Sequence, residues 1–453
     1  MNDLSDLSDK IRGRVILPAD REYDAARSVW NAAVDRRPAA VVRCGDREDV
    51  RWALAAAAEH GLDVAVRGGG HSVSGKSTTD GGLVIDLSPL KRLDVDPIRS
   101  VAIAQPGLTL GELTAGIEPR GLVTTTGIVS GTGLAGLTLG GGIGWLMGRH
   151  GLTCDNLLSA ELVTTSGGVL CASEDELPDL LWGLRGGGGN FGVVTSFELR
   201  LHPLEPIIAG LALHPISRGG DVLRFYRDYT AAAPDGLTAY AALLTSPDGH
   251  PMVAIAACWF GDEAEGQRTL EPLRRFGPPV VDTIGRTSHA AAIRLVDEPS
   301  APGIARAYRS GALHQLTDGA IEALVEHGGR MTSPLSVVLI EHMHGAASRV
   351  PMDATAFAQR DATYFLLIGP QWMPGADPEP PLVWADGLWD AMRRFQAGGV
   401  YVNYLGDEGA TRVHAAYGPN LARLAELKRT YDPANVFHLN QNVEPLGVGE
   451  PVR

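Results

Sequence analysis

Three glycines in a row, Gly68 to Gly70, lead into a single imidazole, His71, between two apolar runs, Val64-Ala65-Val66 and Leu83-Val84-Ile85. Glycine loses more conformational freedom on folding than any other residue, so a triplet between strand-like runs implies a turn where bare main chain closely approaches something. A flat, phosphate-bearing cofactor meets that requirement. Any fold for this chain must keep the turn open to a ligand.

Two motifs nearby point elsewhere and fail on context. Residues 70–77, GHSVSGKS, satisfy G-x-x-x-x-G-K-[ST], the phosphate loop of nucleotide hydrolases. That mechanism needs Lys76 and Ser77 to open a helix whose amides face the phosphates. Thr78-Thr79-Asp80-Gly81-Gly82 and a β-branched run follow instead, so no helix is expected and the P-loop hydrolase is a remote alternative. Residues 131–136, GTGLAG, fit G-x-G-x-x-G. A helix after them would contain Gly140, Gly141, Gly142 and Gly144, each costing about 1 kcal/mol relative to alanine, which argues against a Rossmann turn.

The chain has 453 residues, 44% hydrophobic and 20% charged, enough for two or three compact units. A net charge of −14 without a basic patch argues against nucleic acid as a partner. The polar, acidic start MNDLSDLSDKIRGRV lacks the apolar stretch of a signal peptide, and no run is long enough to span a membrane, so a cytoplasmic location is expected. Cys44, Cys154, Cys171 and Cys258 form no C-x-x-C pair and read as small buried hydrophobes. The 56 glycines are densest between residues 61 and 192, which marks the part of the chain that wraps a ligand.

Ala40 to Arg43 reads as a strand, Asp46 with Asp49 caps a helix ending at Gly61, and a strand over 63–67 completes a β-α-β opening. Strands are expected over 83–87 and 100–104, then a short helix near 109–116. Residues 121–144, with nine glycines and no charge, suit an irregular segment buried against a ligand. A hairpin over 162–172 and a strand from Val193 follow, with Pro203 and Pro206 as a boundary. Beyond it, strands 238–245 and 252–260 joined by Pro247-Asp248-Gly249 alternate with helices 222–229 and 263–276, and strands 335–342 and 363–368 precede a helix over 383–395. Strands paired by hairpins and followed by helices imply an antiparallel sheet covered on one side. The tail reads as strand YVNYL, helix LARLAELKRTY and then DPANVFHLNQNVEP.

RGGGHS at 67–72, LGGGIGWLMGRHGLTCDN at 139–156, RGGGGNFGVVTSFE at 185–198, YVNY at 401–404 and YDPANVFHLNQNVEP at 431–445 together resemble the berberine-bridge-enzyme-like FAD-linked oxidases, a branch of the vanillyl-alcohol-oxidase superfamily. The resemblance implies an α+β fold: a two-subdomain PCMH-type FAD-binding domain plus an α+β substrate domain with an antiparallel sheet covered by helices. The expected divisions are an N-terminal lead over 1–35, the FAD domain over 36–207, the substrate domain over 208–400 and a segment over 401–453 returning to the FAD domain.

It also implies FAD bonded through its 8α-methyl to His71, which would make the flavin more oxidising and unable to dissociate. Many members add a thioether to a cysteine fourteen residues before the residue that follows GGG; here that position is Val129, so a single covalent link is expected. Gly68, Gly69, Gly70 and Ser72 would offer amides to the diphosphate, with Arg67 beside them. Gly127, Gly133, Gly136, Gly141, Gly142 and Gly144, then Asn190, Gly192 and Val194, and finally Asn403, Asn440 and Asn442, fall where similar proteins line the cofactor. Tyr404 would be the base, with Tyr401 and His342 as further catalytic groups; on a strand Tyr401 and Asn403 share one face and Tyr404 takes the other. His342-x-His344 lacks a third ligand for a metal, and none is expected. Ile143 replaces the second tyrosine of members that use two, and the small Thr132 stands at the oxygen gate, which favours an oxidase. The implied reaction is hydride transfer from a small-molecule alcohol, sugar or secondary metabolite to flavin, with O2 giving H2O2. The alternative is a cyclase or isomerase that retains flavin without net redox turnover. The chain could work as a monomer or a homo-oligomer.

Overall fold

The computed structural model describes residues 4–446. Strand Ala40–Arg43 leads through helix Arg47–His60 to strand Val64–Arg67, and Leu83–Asp86 pairs in parallel between the two strands. Asp46 accepts the Asp49 amide at the helix start, and Gly61, at φ 62°, ends it in the left-handed conformation. Arg14–Ile16 adds an antiparallel edge. A second sheet of five antiparallel strands follows, in the order 93–96, 101–104, 193–200, 157–163, 169–173. The expected helix is Leu110–Ile117, closed by a capping box of Thr109 and Glu112.

The third sheet has eight antiparallel strands, the longest being 207–215, 237–245 and 251–260, and 337–342 lies between 237–245 and 364–369. Alternation decides its two faces. Leu237, Ala239, Ala241 and Leu243 pack with Ile340, Leu366 and the helices Gly219–Ala231, Asp318–Gly328 and Glu379–Met392. The opposite face, with Tyr240, Ala256, Cys258 and Phe365, shares one apolar core with Leu110, Trp145, Leu162 and Phe191. The sheet therefore has no wet face: one side is covered by helices and the other meets the glycine-rich part of the chain.

Two local expectations change. Helix Leu134–Leu139 does start after Gly133, but it stops at Gly140 and no strand leads into it; strand Leu122–Val123 lies well upstream and pairs only with 202–203. The tail YVNYL is not a strand. Val402–Tyr404 is a 3-10 turn, closed by the Tyr404 amide on the Tyr401 carbonyl at 2.9 Å.

After helix Leu421–Tyr431 the chain returns to the first part of the molecule. The fully buried ammonium of Lys428 binds Asp432 at 2.6 Å and the carbonyls of Asn190 and Phe437 at 3.0 and 2.9 Å. Removing one partner of such a pair leaves the other charged and buried, a cost of about 3–5 kcal/mol.

Candidate active site

The glycine segments converge. A Cβ on Gly69 would meet Gly133 Cα at 2.5 Å, so the His71 turn and the 127–144 segment touch main chain to main chain. The Gly188 amide donates to the Leu139 carbonyl at 2.9 Å, and Asn440 Nδ2 donates to the Gly189 carbonyl at 3.1 Å. A Cβ on Gly144 would lie 1.5 Å from the Thr126 carbonyl oxygen, which forbids any side chain beside Gly127. Gly141 and Gly142, at φ 128° and 90°, adopt conformations that side chains disfavour, and Gly142 gives its amide to the Tyr401 hydroxyl at 2.9 Å.

This cradle fits a dinucleotide on its own observations. Among the described residues, the amides of Gly69, Gly70, His71 and Ser72 donate to no protein acceptor. Gly131, Gly136 and Gly189 have nothing within 4 Å of a notional Cβ. Buried oxygens of Thr124, Thr125, Thr138, Asn440 and Asn442 lack partners. Main-chain donors and unpaired oxygens around open glycines are what a diphosphate and a polar ring system need.

Some predicted cofactor residues have other duties. The Arg67 guanidinium is spent on Asp86 at 2.8 Å and the Ser28 carbonyl, while its stem packs against Gly70. Asn190 is a fully buried staple, donating to Gly187 O at 2.7 Å and accepting the Val443 amide at 3.0 Å. Gly192 and Val194 pack against Leu162 and its strand, so their side of the cradle is made of sheet. Asn403 donates to the Tyr401 hydroxyl at 2.8 Å and abuts Gly140. The Ser72 hydroxyl pairs with that of Ser74 at 2.8 Å. Half-buried Thr132 lies beside Gly69, next to the turn that carries His71.

His71 is stacked on Trp30, with ring centroids 4.0 Å apart. From there an aromatic row runs to the sheet: Trp30 to Tyr308 at 6.5 Å, Tyr308 to Tyr404 at 6.3 Å, and Tyr404 to Tyr401 at 4.9 Å. The 3-10 turn explains the last contact. Residues three apart eclipse in such a turn, so the two phenols share a side that a strand would have denied them.

Tyr404 meets a residue that sequence reasoning missed. The buried Glu341 carboxyl lies close to the Tyr404 hydroxyl, and its Oε2 is buried without a hydrogen-bond partner. Burial lifts Glu341 from 4.5 to about 7, opposed by the nearby Tyr404 hydroxyl. Burial first, then the Glu341 charge, pushes the Tyr404 phenol well above its usual 10, so it is a poor base by itself. Tyr401, raised by burial, accepts hydrogen bonds from Gly142 and Asn403 and anchors the turn.

His342 is one residue along the same strand and faces the wrong way. It opposes Tyr364, whose hydroxyl reaches Thr230 of the covering helix, while Glu341 opposes Tyr240 and Phe365 on the cradle side. Burial holds His342 near 3, below the usual 6.5, so it is neutral and belongs to the helix-covered core. The signal for Glu341 was an acid inside the apolar run Val337-Val338-Leu339-Ile340. Trp30 and Tyr308 gave no comparable signal. The phosphate-loop reading fails as expected: Ser77 opens no helix, and Lys76 pairs with Asp407 at 3.6 Å.

Residues 38–173 match the FAD binding domain family, and residues 400–444 match the family described as berberine and berberine like. The (R)-6-hydroxynicotine oxidase of Paenarthrobacter nicotinovorans is 30% identical over 96% of this chain and 98% of its own length. This chain belongs to the berberine-bridge-enzyme-like family of FAD-linked oxidoreductases. A FAD-linked oxidoreductase of Bacillus subtilis is 31% identical over 96% of this chain and 98% of its own. The crystal structure of 6-hydroxy-D-nicotine oxidase from Arthrobacter nicotinovorans superposes with a TM-score of 0.89 at 30% identity, covering 96% of this chain and 98% of that one. Chitooligosaccharide oxidase, at 23% identity and a TM-score of 0.87 over 98% and 100%, shares the fold. As a member of this family the chain is an FAD-dependent oxidoreductase.

Proposed function

We propose that this enzyme is an oxidase that holds FAD covalently through His71 and oxidises a compact alcohol or amine carried on an apolar ring, with dioxygen as final acceptor and hydrogen peroxide as product. The observation that carries this reading is Glu341, a buried carboxyl at about 7 beside the Tyr404 hydroxyl. Bound in the cradle, FAD supplies the hydride acceptor. The ionised Glu341 takes the proton from substrate oxygen or nitrogen, and a base near the working pH does this best. In this reading the neighbouring Tyr404 hydroxyl turns to the Glu341 carboxylate and orients it.

The wall opposite the cradle supports the substrate class. Strands 207–215, 237–245, 251–260, 337–342 and 364–369 turn small and apolar side chains toward it, among them Leu211, Ala242, Ala256, Leu339 and Leu367, and Glu341 is their one charged group on that face. A sugar chain would leave many hydroxyls unpaired there, whereas an apolar ring would not. The kinship with a hydroxynicotine oxidase points the same way. Thr132, small and half-buried beside the His71 turn, leaves room for dioxygen.

The test begins with the absorption spectrum of purified protein before and after acid precipitation, beside His71→Ala. Flavin that stays in the wild-type pellet and is lost from the variant supports the link; flavin that washes out of both overturns it. Peroxide release is then screened with cyclic amines and secondary alcohols against oligosaccharides. Preference for oligosaccharides would overturn the substrate class, and turnover without oxygen uptake would favour the cyclase or isomerase reading.

A further inference from the structure

Arg306 is a buried guanidinium, 2% exposed, with no carboxylate in ion-pair range among the described residues. Its N–H groups go to neutral oxygens: Gln371 Oε1 at 2.9 Å, the Ile304 carbonyl at 3.0 Å and the Ala301 carbonyl at 2.6 Å. A buried charge without a counter-charge is costly, so its presence calls for a use. Its Cζ lies 4.0 Å from the centroid of Trp30, and the His71 ring lies 4.0 Å from the same indole. Both groups therefore lie against the same indole.

This cluster is pinned by its neighbours. The Trp30 amide donates to the Gly70 carbonyl at 3.1 Å, inside the turn that carries His71, and its indole N–H donates to the Ser300 carbonyl at 2.7 Å. Asn31 joins the main chains of Val73 and Arg306 through bonds of 2.8 to 3.0 Å. Burial first and then the Arg306 charge hold His71 down to about 4, so its ring stays neutral and keeps a free nitrogen lone pair.

Resting on the covalent-flavin reading, we propose that Trp30 and Arg306 are positioning residues: the indole orients the His71 imidazole for attachment to the flavin, and the Arg306 charge, which outweighs that of Asp297 at this ring, makes that flavin easier to reduce. Attachment replaces the imidazole N–H and one C–H of the 8α-methyl with a single N–C bond. Two protons leave, and the two electrons remain in the flavin until dioxygen takes them as hydrogen peroxide. A cation behind the stacked ring favours the electron-rich form of the flavin at low dielectric.

The experiment measures acid-stable flavin per chain and the flavin midpoint potential in Trp30→Leu, Trp30→Phe, Arg306→Gln and Arg306→Lys, with thermal melting as the folding control and His71→Ala as reference. Trp30→Leu should lower covalent incorporation several-fold and Trp30→Phe should restore most of it. Arg306→Gln should shift the reduction equilibrium about tenfold against reduced flavin, about 30 mV for two electrons, while Arg306→Lys stays near wild type. Wild-type incorporation in Trp30→Leu, or equal potentials in the Gln and Lys variants, would overturn the proposal. If Arg306→Gln fails to melt cooperatively, Arg306→Lys decides alone, since a wild-type potential then supports a charge effect and a lowered one refutes it. A wild-type protein without acid-stable flavin would instead sink the His71 link itself.

Discussion

The cradle formed by residues 67–72, 127–144 and 186–192 works through main chain, whereas the sheet wall over 207–369 works through the side chains of one pleated face. Main-chain recognition needs residues without side chains, and it leaves a compositional trace: glycines where a Cβ would collide with the chain itself or with a ligand. Side-chain recognition on a sheet leaves a weaker trace, because a shift of one residue exchanges the two faces. Glu341 and His342 differ by that single step; one reaches Tyr404, and the other lies under a helix.

The largest effect expected is within the cradle. Gly144→Ala would drive a methyl into the Thr126 carbonyl and should cost at least about 4 kcal/mol, read as loss of soluble folded protein. Gly136→Ala meets nothing within 4 Å and sits in a helix, so it should melt no lower than wild type yet lose flavin several-fold. Undiminished flavin in Gly136→Ala would break the claim that this helix lies against the cofactor.

Next comes the wall. Glu341→Gln should lower kcat by about 10²–10⁴ while flavin content holds, and His342→Gln should change kcat less than threefold or so. Equal losses in the two variants would show that the strand register does not assign the chemistry. The kcat profile should also rise through about pH 7 as Glu341 ionises, and that limb should vanish in Glu341→Gln.

The smallest effect contrasts the same neighbours through stability. Glu341 binds its proton more tightly folded than unfolded, so it stabilises the fold at low pH, and that contribution is lost as pH rises from 4.5 through about 7. His342 and His344, held to about 3 and 4 against 6.5 unfolded, do the reverse: their contribution is full above 6.5 and is lost as pH falls toward those values. Melting curves should show Glu341→Gln gaining stability over wild type at pH 8 and not at pH 4. A gain at both would trace the effect to packing instead of charge.

From sequence alone, the β-α-β opening, the hairpins of the large sheet, the flavin family and the His71 turn could all be read. Caps, turn glycines and alternation are local, and the glycine clusters announce a main-chain ligand site wherever they fold. The tertiary structure decided what depends on distance and direction. It turned the tail YVNYL into a 3-10 turn because Tyr401 is tethered to the Gly142 amide, bringing both phenols to one side. It spent Arg67 on Asp86, turned Glu341 and not His342 toward the cradle side, and brought Trp30 and Arg306, 276 positions apart in the chain, into one cluster with His71. Such pairings follow from register and close packing between distant segments, and no window of neighbouring residues encodes them.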